Sequence, residues 1–205
     1  MLTGNPIREE LLTMNRTIAL KNFGLEPDRP VVAILGGSQG STAINGAVSA
    51  ALGDLTTKLK VQVLWQTGRK DFEELSHLKE SYPGVKILSF VENMGAFYSA
   101  ADLIISRAGA MALAEITFCG KPSILIPFPR ATADHQTKNA EGLVQAGAAI
   151  HLPENELSPT RLVDEVKKIL ATKQTHEEMG LNAKSISFKN SSEKIVQQIL
   201  LATER

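Results

Sequence analysis

The stretch Arg107-Ala108-Gly109-Ala110-Met111-Ala112-Leu113-Ala114-Glu115 decides how this chain folds. Residues 102–106, just before it, form a short apolar run rich in β-branched side chains, which is typical of a buried parallel strand. After it, apolar residues recur at helical spacing until Gly120 and Pro122 end the pattern. The stretch therefore predicts a strand that turns into a helix at Gly109.

The chemistry of this turn favours an anionic ligand. Small residues around Gly109 let a ligand approach the backbone, and the first amide groups of a helix have no partner within it. These donors and the helix dipole suit a diphosphate. Glu115 follows inside the helix, where its carboxylate could accept two ribose hydroxyls. The alternative interpretation is an ordinary strand–helix turn with a surface glutamate.

The composition is that of an ordinary globular protein. The 205 residues are 43% hydrophobic and 21% charged, and 22 basic residues balance 22 acidic ones, which gives no indication of nucleic-acid binding. A single cysteine, Cys119, excludes an internal disulfide, and its place on an apolar helix face predicts a core residue. The four histidines lack metal-ligand spacing, and there is no transmembrane run or signal peptide. We therefore expect a cytoplasmic protein without a metal or cofactor.

Strand and helix patterns alternate along the chain. Strands are predicted at residues 31–35, 61–65, 85–90, 102–106, 123–127 and 148–152. Helices are predicted from about residue 6 to 23, after residue 41, at 70–80 and 94–100, after Gly109, from the end of the 130–136 loop to about 146, and near 158–171, 174–185 and 191–203. This alternation predicts an α/β fold in which helices cover both faces of a parallel sheet.

Glycine-rich and polar segments follow the predicted strands. These segments are residues 36–40, 66–68, 90–94, 107–110 and 130–136. The carboxyl ends of parallel strands meet at one edge of the sheet, where ligands bind in such folds. The concentration of these segments predicts a binding site at that edge.

Two of the segments carry further hypotheses. The 36–40 loop, Gly-Gly-Ser-Gln-Gly, lacks the residues of a dinucleotide fingerprint or an ATP phosphate loop, yet its backbone and Ser38 could contact a phosphate. The amide and imidazole of Gln136 and His135 suit hydrogen bonds to sugar hydroxyls. The alternative is a helix cap made by Asp134, with His135 and Gln136 solvated.

Five motifs occur in this order along the chain: Thr3-Gly4-Asn5-Pro6-Ile7-Arg8, Gly36-Gly37-Ser38-Gln39-Gly40, Phe90-Val91-Glu92-Asn93-Met94, Arg107-Ala108-Gly109-Ala110 and Asp134-His135-Gln136-Thr137-Lys138-Asn139-Ala140. Together they resemble the C-terminal half of the MurG family, enzymes that transfer N-acetylglucosamine (GlcNAc) from UDP-GlcNAc to lipid I in peptidoglycan synthesis. The resemblance implies the two-domain GT-B architecture of glycosyltransferases, with the donor nucleotide in a Rossmann-like C-terminal domain.

The resemblance also implies which residues bind the nucleoside. Arg8 and the backbone of Val91 would contact the uracil. Glu115 would hold the ribose.

For the rest of the donor, Ser38 and the amide groups of Ala110 and Met111 would contact the diphosphate. His135 and Gln136 would face the GlcNAc hydroxyls. Ala112 stands where family members often have a hydroxyl residue, so a phosphate contact there must come from the backbone.

The N-terminal half of the family has no counterpart in this sequence. In the family it supplies the acceptor loop, the candidate general base and the apolar patch that touches the membrane. The resemblance implies that residues 1–205 are one donor-binding domain, with residues 1–24 as linker and first helix and 153–205 as C-terminal helices. Lipid I and the cytoplasmic face of the bacterial inner membrane would then be contacted only through the missing half, and this chain alone would transfer no sugar.

The implied reaction is an inverting transfer in which the acceptor 4-hydroxyl attacks the anomeric carbon and UDP leaves. The site must then stabilise the charge that grows on the β-phosphate. The sequence has no Asp-x-Asp pair placed to hold a divalent ion. The alternatives are another GT-B enzyme of UDP-sugars, such as a UDP-GlcNAc 2-epimerase, and a non-catalytic nucleotide-binding or partner-binding module.

Overall fold

Six parallel strands form one sheet in the computed structural model, which describes residues 2–11, 13 and 15–203. The strands are β1 (Val31–Leu35), β2 (Gln62–Gln66), β3 (Val85–Leu88), β4 (Leu103–Ser106), β5 (Ser123–Leu125) and β6 (Ala149–His151). Their order across the sheet is β3-β2-β1-β4-β5-β6. The order reverses between β1 and β4, where Leu35 lies opposite Ser106 at the carboxyl ends. This confirms the predicted α/β fold with a Rossmann-like sheet.

Helices cover both faces of the sheet. They are α1 (Arg16–Phe23), α2 (Thr42–Gly53), α3 (Arg69–Leu75), α4 (Leu78–Ser81), α5 (Met94–Ala100), α6 (Ala110–Phe118), α7 (His135–Gln145), α8 (Pro159–Leu170), α9 (Lys173–Ser185) and α10 (Ser191–Thr203).

Side chains of the buried strands alternate between two cores. Val31, Ala33 and Leu35 of β1 pack on one face with residues of α1, α5, α6, α7 and α9. Val32 and Ile34 point to the other face and pack with α2 and α8. This period of two, with apolar side chains on both faces, is what a fully covered parallel strand requires.

The predicted helix from residue 6 to 23 is wrong in its first part, although α1 ends at Phe23 as predicted. The chain forms a 3-10 turn at Glu9–Leu11, and α1 begins only at Arg16, after Asn15 caps it by accepting from the Thr17 amide at 2.8 Å. Positions 12 and 14 lie outside the described residues. Long-range contacts of residues 5–10, described below, hold this segment against the site and override its helical pattern.

Smaller differences concern boundaries. The predicted helix at 70–80 divides into α3 and α4, because the Ser76 hydroxyl donates back to the Glu73 carbonyl at 3.3 Å. The strands predicted at 85–90 and 123–127 end at Leu88 and Leu125. Each of the other predicted strands and tail helices agrees with the structure within one residue at either end, although the last two positions of the chain lie beyond the described part.

Two loops at the carboxyl edge interlock through a pair of glycines. Gly40 and Gly68 have φ angles of 81° and 82°, in the left-handed region. A Cβ on Gly40 would overlap the Thr67 carbonyl, and one on Gly68 would overlap the Gln39 carbonyl. Only glycine at both positions lets the loops after β1 and β2 pack backbone against backbone.

We expect Gly68→Ala to lower the free energy of unfolding by about 2–4 kcal/mol, since strain at positive φ adds to the overlap with Gln39. Gly46, exposed in α2 with open space beside its Cα, provides a matched control. Gly46→Ala should raise the free energy of unfolding by about 0.5–1 kcal/mol. Urea unfolding of both variants tests this, and equal effects would contradict the interlocked arrangement.

Cys119 is partly buried against the core, as predicted. Burial raises the pKa of its thiol to about 11, against the lowering effect of the Lys121 charge. Relative to an ordinary value near 9, the thiolate fraction below pH 9 should fall about 100-fold.

We therefore expect slow alkylation of Cys119 by iodoacetamide in the folded chain, with a rate that keeps rising between pH 9 and 11. The same reaction in urea should be fast and should level off above pH 9. A native rate that already reaches its plateau near pH 9 would show that the thiol is not desolvated.

Candidate functional site

A cavity of about 710 Å³ lies at the carboxyl edge of the sheet, around the β1–β4 switch point. Its volume is within the range of small-molecule sites. Six of the eight predicted site residues line it: Arg8, Ser38, Val91, Met111, Glu115 and Gln136. The structure therefore brings together residues from five separate segments of the sequence.

The N-terminus of α6 opens into this cavity. Gly109 occupies the N-cap position, and no side chain caps the helix. The first hydrogen bond of the helix runs from the Leu113 amide to the Gly109 carbonyl at 3.0 Å. The amides of Ala110 and Met111 come before it and therefore have no acceptor within the helix. A Cβ on Gly109 would meet nothing within 4 Å. The glycine therefore leaves space for a ligand directly over these donors.

The loop after β1 forms the facing wall. Gly36 allows the loop to fold tightly, because a Cβ there would overlap the Ser41 amide. Ser41 caps α2 by accepting from the Ile44 amide at 3.4 Å. Ser38 lies at the exposed tip of the loop, where its hydroxyl can reach a ligand in the cavity.

Arg107 holds the site together. It donates to the Ser41 hydroxyl at 2.7 Å and to the carbonyls of residues 126–127 at 3.1 Å. Its guanidinium lies 5.5 Å from the centre of the Phe128 ring and forms an ion pair with Glu154. Arg107 belongs to one of the five sequence motifs but was not among the predicted site residues. The signal in the sequence that could have identified it is a basic residue directly after a buried strand.

Glu115 lies on the floor of the cavity and is paired with Arg8. The Arg8 Nε donates to the Glu115 Oε1 at 2.8 Å. The Glu115 side chain is 4% exposed, whereas that of Arg8 is 54% exposed. The carboxylate is thus fixed from the open side by an arginine that solvent can reach.

The N-terminal segment is a wall of the site. Besides Arg8, Asn5 donates to the Ala110 carbonyl at 3.2 Å. Glu10 accepts from the Met94 amide at 2.9 Å, at the start of α5. These contacts explain why the segment does not continue as a helix.

Tyr98 of α5 also lines the cavity. Its side chain is fully buried, and its hydroxyl has no hydrogen-bond partner among the described residues. Burial and, to a lesser extent, the Glu115 carboxylate raise the pKa of Tyr98 well above its ordinary value. The side chain therefore remains a neutral O–H donor. Tyr98 was not among the predicted site residues.

The two predicted sugar contacts differ in position. Gln136 lines the cavity, and its side-chain oxygen accepts from the Phe128 amide at 3.0 Å. His135 does not line the cavity, and its ring Nδ1 lies 2.7 Å from the Thr132 carbonyl oxygen. Asp134, the alternative cap, accepts from the Thr137 hydroxyl at 2.6 Å instead of capping α7.

The loop before α7 is strained. Ala133 and Asp134 have φ angles of 50° and 54°, which non-glycine residues seldom adopt. Such strain is found preferentially at ligand sites.

Within the described part of the chain, no three His, Cys, Asp or Glu side chains lie together in a way that could hold a metal ion.

Comparison with known proteins agrees with this geometry. A curated relative from Salinibacter ruber is 35% identical over 205 residues, which is 100% of this chain and 55% of that protein. One from Halothermothrix orenii is 40% identical over 190 residues, which is 89% of this chain and 51% of that protein. Both are named UDP-N-acetylglucosamine--N-acetylmuramyl-(pentapeptide) pyrophosphoryl-undecaprenol N-acetylglucosamine transferase. The chain spans about half the length of these relatives.

Solved structures of glycosyltransferases are also similar to this chain. The crystal structure of Acinetobacter baumannii MurG has a TM-score of 0.75 at 30% identity, covering 95% of this chain and 55% of that one. WaaG, a glycosyltransferase involved in lipopolysaccharide biosynthesis, has a TM-score of 0.68 at 15% identity, covering 93% of this chain and 54% of that one, which shows the shared fold alone.

The family model described as glycosyltransferase family 28 C-terminal domain matches residues 31–199. This range contains the whole sheet and all the cavity residues except Arg8. The resemblance to MurG is confirmed, and the chain belongs to the family of glycosyltransferase family 28 C-terminal domains.

Proposed function

We propose that this chain is the donor-binding part of an inverting glycosyltransferase that moves GlcNAc from UDP-GlcNAc to lipid I. The observation that carries the proposal is the cavity in which the uncapped N-terminus of α6 and the Glu115 carboxylate face the same space. Backbone amides there suit a diphosphate, and a carboxylate on the same helix suits the adjoining ribose. Residues 1–205 would act as one domain.

The diphosphate would lie between α6 and the loop after β1. The Ala110 and Met111 amides would donate to it from one side and the Ser38 hydroxyl from the other. Helix N-termini bind anions through such donors and through the dipole. Since Ala112 has no hydroxyl, the backbone would supply the contacts on the α6 side.

The nucleoside would lie over Glu115. The carboxylate already accepts from Arg8, and it has capacity for both ribose hydroxyls. Arg8, half exposed at the rim, and the backbone of Val91 would contact the uracil. Arg8 would then link recognition of the uracil to the position of the Glu115 carboxylate, which holds the ribose.

The sugar would lie near Gln136, which faces the cavity. His135 would reach it only if the strained loop at residues 130–134 moved, because the ring is now held at the Thr132 carbonyl. We propose the contact of Gln136 in the structure as it stands and that of His135 after such a movement.

Catalysis would depend on stabilising the leaving group. As the acceptor 4-hydroxyl attacks the anomeric carbon, charge grows on the β-phosphate of UDP. Donors fixed at the α6 N-terminus can stabilise this charge without reorganising. In a protein of the relatives' full length, the acceptor site, the general base and the contact with the cytoplasmic face of the membrane would come from the other half.

In the described residues, no helix has the length and apolarity to cross a bilayer.

The first test is nucleotide binding by calorimetry. We expect the chain to bind UDP and UDP-GlcNAc and to discriminate against ADP-sugars. Glu115→Gln should weaken UDP binding by about 1–3 kcal/mol, because charge-assisted hydrogen bonds to the ribose are lost.

Glu165→Gln is the matched control for that variant. Glu165 is also a buried glutamate in a helix, 3% exposed and paired with Arg161 and Lys168, but it lies in α8 and does not line the cavity. Its replacement should lower stability while leaving the UDP affinity unchanged. Equal affinities for UDP in the wild type and Glu115→Gln would refute the ribose role.

We further expect the chain alone to bind UDP-GlcNAc without transferring sugar. Transfer requires an acceptor held roughly 3–3.5 Å from the anomeric carbon and a base within reach of its hydroxyl. Radiolabelled UDP-GlcNAc with a lipid I analogue is the assay, with a full-length relative as positive control. Turnover by this chain comparable to that control would place the acceptor site and base within these residues.

A further inference from the structure

The Tyr98 hydroxyl is a buried polar group that packing does not explain. The ring packs edge-on against Phe97, with centroids 6.0 Å apart and planes at 87°. A phenylalanine would make the same contacts without leaving a hydroxyl unsatisfied. Buried hydroxyls without partners cost free energy, and in native proteins they call for an explanation.

The surroundings of Tyr98 point to Glu115. The two residues line one cavity from successive helices of the chain, α5 and α6. Glu115 is near enough for its charge to contribute to the raised pKa of Tyr98. Arg8 donates to Glu115 at its Oε1. A carboxylate has lone pairs for about four hydrogen bonds, so this one has room for more donors.

A carboxylate that binds a ribose must be held in one plane. Both of its oxygens are needed for the two vicinal hydroxyls, and rotation about the last side-chain bond would misalign one of them. Arg8 restrains one edge only, and its side chain is 54% exposed. A second, buried donor would fix the carboxylate from the side opposite the solvent.

We propose that Tyr98 is a positioning residue for the donor nucleotide. When a nucleotide occupies the cavity, the Tyr98 hydroxyl donates a hydrogen bond to Glu115 and orients the carboxylate toward both ribose hydroxyls. The inference rests on the proposed function, because it assumes that Glu115 binds the ribose. It adds a residue that would act through Glu115 without touching the ligand.

The test compares two nucleotides on two variants by calorimetry. Tyr98→Phe should weaken UDP binding about fivefold, the effect of losing one hydrogen bond. It should leave the affinity for 2′,3′-dideoxy-UDP unchanged, since that ligand has no ribose hydroxyls for Glu115 to hold. Tyr82→Phe, which alters the other tyrosine of the chain outside this cavity, should change neither affinity.

NMR of the wild-type chain with tyrosine labelled at Cζ provides a measurement that does not depend on the variant folding. UDP should shift the Tyr98 Cζ resonance as the hydroxyl gains an acceptor, and dideoxy-UDP should shift it much less. The Tyr82 resonance should stay in place with both nucleotides.

Three results would overturn the inference while leaving the proposed function standing. They are unchanged UDP affinity in Tyr98→Phe, an equal loss of affinity for both nucleotides, and a Tyr98 resonance that UDP does not move. An equal loss would mean that Tyr98 only supports the fold. A wild-type chain that binds neither nucleotide would instead overturn the proposed function, and the inference with it.

Discussion

The parallel pairing of β1 with β4 is the constraint on which the site depends. Leu35 lies opposite Ser106, and the Arg107 amide donates to the Leu35 carbonyl at 3.3 Å. Beyond this point the chain leaves the two strands in opposite directions, because the strand order reverses here. A crevice must therefore open between the loop after β1 and the start of α6. Two helix N-termini, of α2 and α6, lie at that crevice as a consequence of topology.

Charge within the cavity is already largely balanced. The two arginines that line it each have a carboxylate partner, Arg8 with Glu115 and Arg107 with Glu154. A diphosphate would thus meet neutral backbone donors and helix dipoles more than free cations. Such donors are fixed by the fold and need no reorganisation as charge develops on a leaving group. Because Arg107 is paired in this way, its role is structural: it connects the loop after β1, the segment after β5 and Glu154.

The parts of the site that follow directly from strand–turn–helix patterns could be predicted from the sequence. The turn at Gly109, the Ser38 loop and Glu115 lie in the cavity because a parallel sheet brings the carboxyl ends of its strands to one edge. The remainder depends on contacts between residues distant in sequence. Arg8 and Glu10 divert a helical pattern by bonding across more than 80 positions, and the acceptor of the His135 ring is set by a loop with two left-handed residues. The place of Tyr98 at the cavity could not be predicted, since it depends on how α5 packs in the folded chain.

Amide chemical shifts under UDP titration test the central claim most directly, namely that the N-terminus of α6 and the loop after β1 together hold a nucleoside diphosphate. In a nitrogen-15-labelled chain, the account predicts saturable shifts concentrated at Ser38, Val91, Ala110 and Met111, with the amides of α8 unmoved. Uridine, which lacks the diphosphate, should leave the Ala110 and Met111 resonances nearly in place. Saturable UDP shifts that bypass Ser38, Ala110 and Met111 would contradict the account.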